Sequence, residues 1–234
     1  MKTPVFYAIG DIHGEAERLR RLHAYIDDRH SFEYADHPCT IIHLGDYIDR
    51  GPDSCGVLSW LQSVTPKPNQ TIINLRGNHE QMMLDAVDRR SDTAFENWCR
   101  FGGDETLASY RKQGHAKIPA AHVDWVRSLP TIHIEKEAGL VFVHAGIDVD
   151  AFPHCPENVH MWTRSQSFLT VRDWINPALD GLCVIHGHTP TETFFPDIDG
   201  EVPRRINIDT GAVFGGRLTA AMFAPERDVK FIYA

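Results

Sequence analysis

The chain has 234 residues, 42% hydrophobic and 24% charged, which suits one large α/β domain or two small ones, and no linker-like stretch divides it. Its net charge of −9 speaks against a general nucleic-acid or anionic-membrane binder, yet leaves room for a local basic pocket that takes one phosphate. Five scattered cysteines, Cys39, Cys55, Cys99, Cys155 and Cys183, form no C-x-x-C pair and fit reduced thiols in a cytoplasmic protein better than disulfides or a thiolate metal site.

Val5 to Ile9 reads as a first strand, with an apolar run too short for a signal peptide or a membrane span. A helix follows from Gly14 to about Arg29, with Ala16, Leu19, Leu22 and Ile26 at helical spacing. His23 and His37 are expected at the surface. Thr40 to Leu44 is a second strand and Ser54 to Val64 a second helix, stopped by a Pro-rich turn. Thr71 to Leu75 is a third strand, and Glu80 to about Arg90 a third helix. Strands alternating with helices predict a largely parallel sheet, in which ligands bind beyond the carboxyl ends of the strands.

Residues 93–129 read as a helical insertion with Phe95, Trp98 and Phe101 packed inward. Beyond Pro130 the pattern turns to short strands: a hairpin of Thr131–Ile134 and Leu140–His144, then Leu182–His186, Arg205–Ile208, Arg217–Phe223 and Val229–Tyr233. The expectation is an α/β chain, residues 1–234 as a single domain, with two packed sheets forming a β-sandwich flanked by helices.

Five short patterns carry chemistry: Gly10-Asp11-Ile12-His13-Gly14, Gly45-Asp46-Tyr47-Ile48-Asp49-Arg50-Gly51, Gly77-Asn78-His79-Glu80, His144-Ala145-Gly146 and Gly187-His188-Thr189-Pro190. Each follows an apolar strand and is bracketed or closed by Gly. Asp11 and His13, on alternate positions of an extended chain, can face one metal. Oxygen and imidazole donors without thiolate suit manganese, iron or zinc in a working centre rather than a structural zinc. His186 reads as a strand residue.

In this order the motifs resemble the calcineurin-like metallophosphoesterase superfamily, and most closely its PPP-type serine/threonine protein phosphatases, whose signatures are GDxHG, GDxxDRG and GNHE. The HAG and GHTP forms resemble the small bacterial and phage members, and the likeness runs from residue 10 to residue 189. It implies two divalent cations, manganese first, with Asp11 and His13 on one, Asn78, His144 and His188 on the other, and Asp46 shared. It implies in-line attack by a hydroxide bridging the metals, His79 as general acid, Asp49 orienting His79 and raising its pKa, and Arg50 and Arg164 on the phosphoryl oxygens. Pro190 stands where nuclease relatives carry a further His, a departure shared with the protein phosphatases.

The substrate expected on this basis is a phosphoprotein or phosphopeptide, with no nucleic-acid or membrane partner; the oligomeric state stays open, a monomer included. The main alternative is a dinucleoside polyphosphate hydrolase, or a small-molecule phosphatase, of the same superfamily. Asp49 and Glu80 favour the protein phosphatase, because the nucleotide hydrolases typically lack the Asp before Arg and carry GNHD. A catalytically dead binding module on the same scaffold is the rival from another class, and every expected ligand is present.

Overall fold

The structure is a computed structural model and describes residues 2–89, 91–200, 202–225 and 228–234. The first half lays down β1 (Val5–Ile9), α1 (Ala16–Glu33), β2 (Cys39–His43), α2 (Ser54–Ser63), β3 (Gln70–Asn74) and α3 (Asn78–Arg89). β1, β2 and β3 pair in parallel. The late strands β9 (Thr219–Phe223) and β10 (Val229–Tyr233) return antiparallel to complete a five-stranded sheet in the order β10-β9-β1-β2-β3. A second five-stranded sheet runs β4 (Ile132–Glu135), β5 (Leu140–Val143), β6 (Cys183–His186), β8 (Arg205–Asn207) and β7 (Asp197–Ile198), with β5, β6 and β8 parallel.

The period-two alternation of the strands divides the core. Val5, Tyr7 and Ile9 point to α1 and α2, where Leu19, Leu22, Ile26 and Leu58 meet them. Phe6 and Ala8 point the other way and pack with Ile42, Leu75, Phe142, Ile185 and Ile206 between the sheets. Phe142 is fully buried there, a burial of ~1.5–3 kcal/mol for a ring of that size. The outer face of the second sheet is covered by Phe152, Phe168, Trp174 and Leu179. The two-sheet sandwich flanked by helices expected from the sequence is the architecture observed.

Between the sheets in sequence lie α4 (Asp92–Trp98), a π-helical turn at Cys99–Gly103, α5 (Asp104–Lys112) and α6 (Ala120–Ser128). Trp98 is buried, as expected, but Phe95 and Phe101 are each 45% exposed. The π turn adds a residue to the helical register and holds Gly102 inside it at φ 106°, so Phe101 is swung off the buried stripe. His23 differs too: it is buried and shares a hydrogen bond with His43, Nε2 to Nε2 at 2.8 Å. The stretch after β5 holds two short helices, α7 (Glu157–Trp162) and α8 (Gln166–Leu169). Arg90, the expected end of the third helix, lies outside the described residues. No helix among the described residues is long and apolar enough to cross a membrane.

Candidate metal centre

Every motif begins where a parallel strand ends. Asp11 and His13 follow β1, Asp46 follows β2, Asn78 opens α3 after β3, His144 follows β5 and His188 follows β6. The two sheets therefore deliver their carboxyl ends to one place. The loops approach so closely that side chains are excluded: a Cβ on Gly45, φ 111°, would meet the Gly77 nitrogen at 2.5 Å. Five residues with side chains, His13, Asp46, Asp49, Arg50 and His188, sit at φ between 42° and 73°, a conformation that surrounding packing has to hold.

Asp46 stands at the centre, 1% exposed. Its Oδ2 is 3.5 Å from His13 Nε2 and its Oδ1 is 3.3 Å from His144 Nε2, one oxygen turned to each side. Burial would raise its pKa, but His144, His79 and His13 outweigh it and hold the carboxyl well below the ordinary range. His13 gives its Nδ1 proton to the Ile48 carbonyl at 2.8 Å, and His144 gives its own to the Leu44 carbonyl at 3.1 Å. Those bonds set the tautomers and leave both Nε2 lone pairs facing inward. His144 Nε2 and His188 Nδ1 each lie 2.8 Å from the Asn78 Oδ1 oxygen.

Polar atoms of His144, His188, Asn78 and Asp46 thus converge on one point, a place that favours positive charge. Protonation of His144 answers that demand in part: burial lowers its pKa, but Asp46, Asp11 and Glu80 lift it to about 9. A divalent cation answers it fully, and oxygen and imidazole donors at this spacing fit one. Two clusters have donor atoms within 4.8 Å of one another: His13, Asp46 and His79, and Asp46, His144 and His188. Asp46 belongs to both.

Asp11 joins from the side. Its carboxylate accepts the His188 backbone N–H at 3.1–3.2 Å. Burial, then the neighbouring Asp209 carboxylate, pushes its pKa well up. Asp209, 3% exposed at the end of β8, was not singled out from the sequence; burial lifts it to about 6. The Asp209-Thr210-Gly211 stretch after a short strand was the available signal, and its lack of a His hid it. Buried carboxylates at Asp11, Asp46 and Asp209 form a negative pocket suited to a cation.

His79 has its Nδ1 2.7 Å from Asp49 Oδ2 and its Nε2 3.9 Å from Asp46 Oδ2. Asp49 is fully buried and also accepts from Trp98 Nε1 at 3.0 Å and Thr106 Oγ1 at 2.7 Å. Both partners come from the helices after Asp92, a link the sequence did not show. The two side chains are in contact, and the pKa direction is opposite to the expected one: burial drives His79 down to about 4 and Asp49 up to about 8. For His79 desolvation outweighs the charge of Asp46, because the pair is sealed from water. Glu80 points away from the cavity. Its carboxylate takes the backbone N–H groups of Asp46, Tyr47, Ile48 and Gly77 at 2.7–3.3 Å, and so ties two motif loops together.

Two guanidiniums flank the cluster. Arg50 Nη1 is 2.5 Å from His13 Nε2, and its guanidinium carbon lies 5.5 Å from the Phe214 ring centre. Arg164 Nε donates to Thr189 Oγ1 at 3.2 Å, beside His188, with the exposed Trp162 ring 6.4 Å from that histidine. His186 accepts from Arg205 Nη1 at 3.1 Å, and Arg205 also pairs with Asp197, which is a supporting role as expected.

The model of the calcineurin-like phosphoesterases matches residues 4–233. The chain belongs to this family. Its relatives divide by activity. The bis(5'-nucleosyl)-tetraphosphatase PrpE [asymmetrical] of Halalkalibacterium halodurans is 29% identical over 94% of this chain and 90% of its own length, and Bacillus relatives of the same name match at 27–28%. Serine/threonine-protein phosphatase 1 of Salmonella typhimurium is 30% identical over 92% of this chain and 90% of its own. Among solved structures, one whose diadenosine tetraphosphatase name is provisional superposes with a TM-score of 0.65 at 22% identity, covering 99% of this chain and 94% of that one. That likeness concerns the calcineurin-like fold alone.

Proposed function

We propose that this calcineurin-like phosphoesterase hydrolyses dinucleoside polyphosphates. The observation that carries the reading is the nearly full-length similarity to the PrpE tetraphosphatases. The sequence preference for a phosphoprotein substrate rested on Asp49 and Glu80. Both side chains are fully buried, one behind His79 and the other on backbone N–H groups. Neither faces a substrate, so neither discriminates between substrates. A protein phosphatase remains the second reading, favoured by the Salmonella relative.

In this proposal Asp11, His13 and Asp46 would hold one divalent cation, and Asp46, Asn78, His144 and His188 the other; manganese leads by donor type. Cations held there would supply Lewis acidity and lower the pKa of water towards neutrality. Arg50 and Arg164, planar donors on either side, orient and neutralise the phosphoryl oxygens. Asp49 fixes the Nδ1 proton of His79 and leaves the Nε2 lone pair towards the cavity, where it would take a proton from the attacking water and hand it on to the departing oxygen. Burial keeps bulk water from the Asp49–His79 pair. A polyphosphate leaving group needs that proton less than a serine alkoxide does. The free thiols support a cytoplasmic location.

The test is to strip the protein with chelator, restore manganese, and follow diadenosine tetraphosphate by ion-exchange chromatography. Its conversion to mononucleotides such as AMP and ATP supports the reading. No turnover, with hydrolysis of a phosphoserine peptide by the same sample, replaces it with the second.

A further inference from the structure

A shallow cleft of about 460 Å³ opens beside the cluster, on the side of Arg50. Phe101 and Phe214 both line it, 45% and 52% exposed. They come from distant parts of the chain: Phe101 from the π turn, Phe214 from the turn after β8, set between Gly211 and Gly215 at φ 66° and 91°. Neither ring is used by the core. Exposed aromatic rings meeting in one cleft beside a guanidinium are the components of a stacking platform.

The platform is built rigidly. The Arg50 backbone N–H donates to the Gly102 carbonyl at 3.2 Å. A Cβ on Gly102 would lie 2.5 Å from that nitrogen, so the two loops touch backbone to backbone. Trp98 and Thr106, on either side of the π turn, are both bonded to Asp49. The turn that carries Phe101 is therefore fastened to the same loop that carries Asp46. Arg50 spans from the Phe214 ring to His13 Nε2. The one guanidinium touches both the ring and a residue of the cluster, so a base in the cleft would lie next to the site that takes the phosphates.

We propose that this cleft binds one nucleobase of the substrate, and that it favours a base with an exocyclic amino group. This rests on the dinucleoside polyphosphate reading. Asp104 and Glu105 lie on the rim, alongside Arg50 and Arg100; carboxylates there accept hydrogen bonds from amino groups. Uracil lacks the amino donor.

The matched probes are AMP and ribose 5-phosphate, which differ by the base, titrated against the manganese-loaded full chain and followed by calorimetry. The wild type binds AMP on the order of tenfold or more tighter than ribose 5-phosphate, and tighter than UMP. In Phe101→Ala and in Phe214→Ala the AMP-to-ribose-phosphate ratio falls towards one. Both rings are half exposed, so folding is retained, and the ribose 5-phosphate affinity in each sample checks it. A wild-type ratio of one overturns the proposal, as does a ratio that survives both substitutions. So does loss of affinity for an aromatic phosphopeptide in the variants with AMP binding intact. Base discrimination without turnover of diadenosine tetraphosphate would sink the proposed function and leave the cleft standing. Turnover with an unchanged ratio would do the reverse.

Discussion

Glu80 gives the sharpest perturbation, because its work is all on the backbone. Oε2 accepts from Asp46 N at 2.8 Å and Gly77 N at 2.9 Å, and Oε1 from Tyr47 N at 2.7 Å, with a longer contact to Ile48 N at 3.3 Å. Glu80→Gln turns one oxygen into an amide that faces N–H donors. Two hydrogen bonds to a charged acceptor are lost, ~1.5–3 kcal/mol each, and buried N–H groups are left without partners. Burial, then the nearby Asp46, works against that charge and pushes the Glu80 pKa up, so its removal returns part of that loss. The net cost is ~3 kcal/mol, which lowers Tm by roughly 6–12 °C in a chain of this size. Thermal unfolding in chelator isolates this from metal binding. The ratio of kcat/KM on diadenosine tetraphosphate to that on a phosphoserine peptide stays as in the wild type. An unchanged Tm, or an unchanged Tm with a switched substrate ratio, refutes the assignment and restores Glu80 as a specificity residue.

Three further outcomes are expected. His79→Asn retains two bound ions but loses on the order of 10²–10⁴ in rate on a phosphoserine peptide, and markedly less on diadenosine tetraphosphate. Equal losses on both, or one ion missing by metal analysis, would show that His79 is a ligand instead. Asp46→Asn binds fewer than two ions per chain as well as losing rate; two tightly bound ions in that variant contradict the sharing of Asp46. Stability declines in acid because burial lowers the His23 pKa from 6.5 to about 4. The unfolded chain takes up that proton first, so the stability present above pH 6.5 is lost as pH falls towards 4. The gap amounts to roughly 3 kcal/mol, and denaturant titrations of His23→Leu show a flatter slope across this window unless the reasoning is wrong.

The sequence carried the strand-end motifs well because each is local: a strand, a Gly, then a donor. Asp46 and Asn78 meet where parallel strands end, as the alternation of strands and helices in the first half implied; His144 and His188 join them from the second sheet, where only the resemblance had placed them. What stayed hidden was long-range. Nothing local in Trp98 or Thr106 says that they bind Asp49, 49 and 57 residues away. Asp209 carried no flanking His to mark it. Phe101 lies at helical spacing, and only the π turn with Gly102 takes it out of register. The same limit misdirected the substrate preference. Asp49 and Glu80 were correctly found within motifs, but a motif does not tell whether a side chain faces the substrate or the backbone behind it. The pKa of His79 failed in the same way, since desolvation depends on what covers the pair and not on which residues form it.

The most direct test mixes diadenosine tetraphosphate and a phosphoserine peptide at equal concentration with the manganese-loaded protein. The ratio of initial rates then equals the ratio of kcat/KM. A ratio well above one in favour of the dinucleotide is the predicted result. A ratio well below one contradicts the account and makes the protein phosphatase reading the right one.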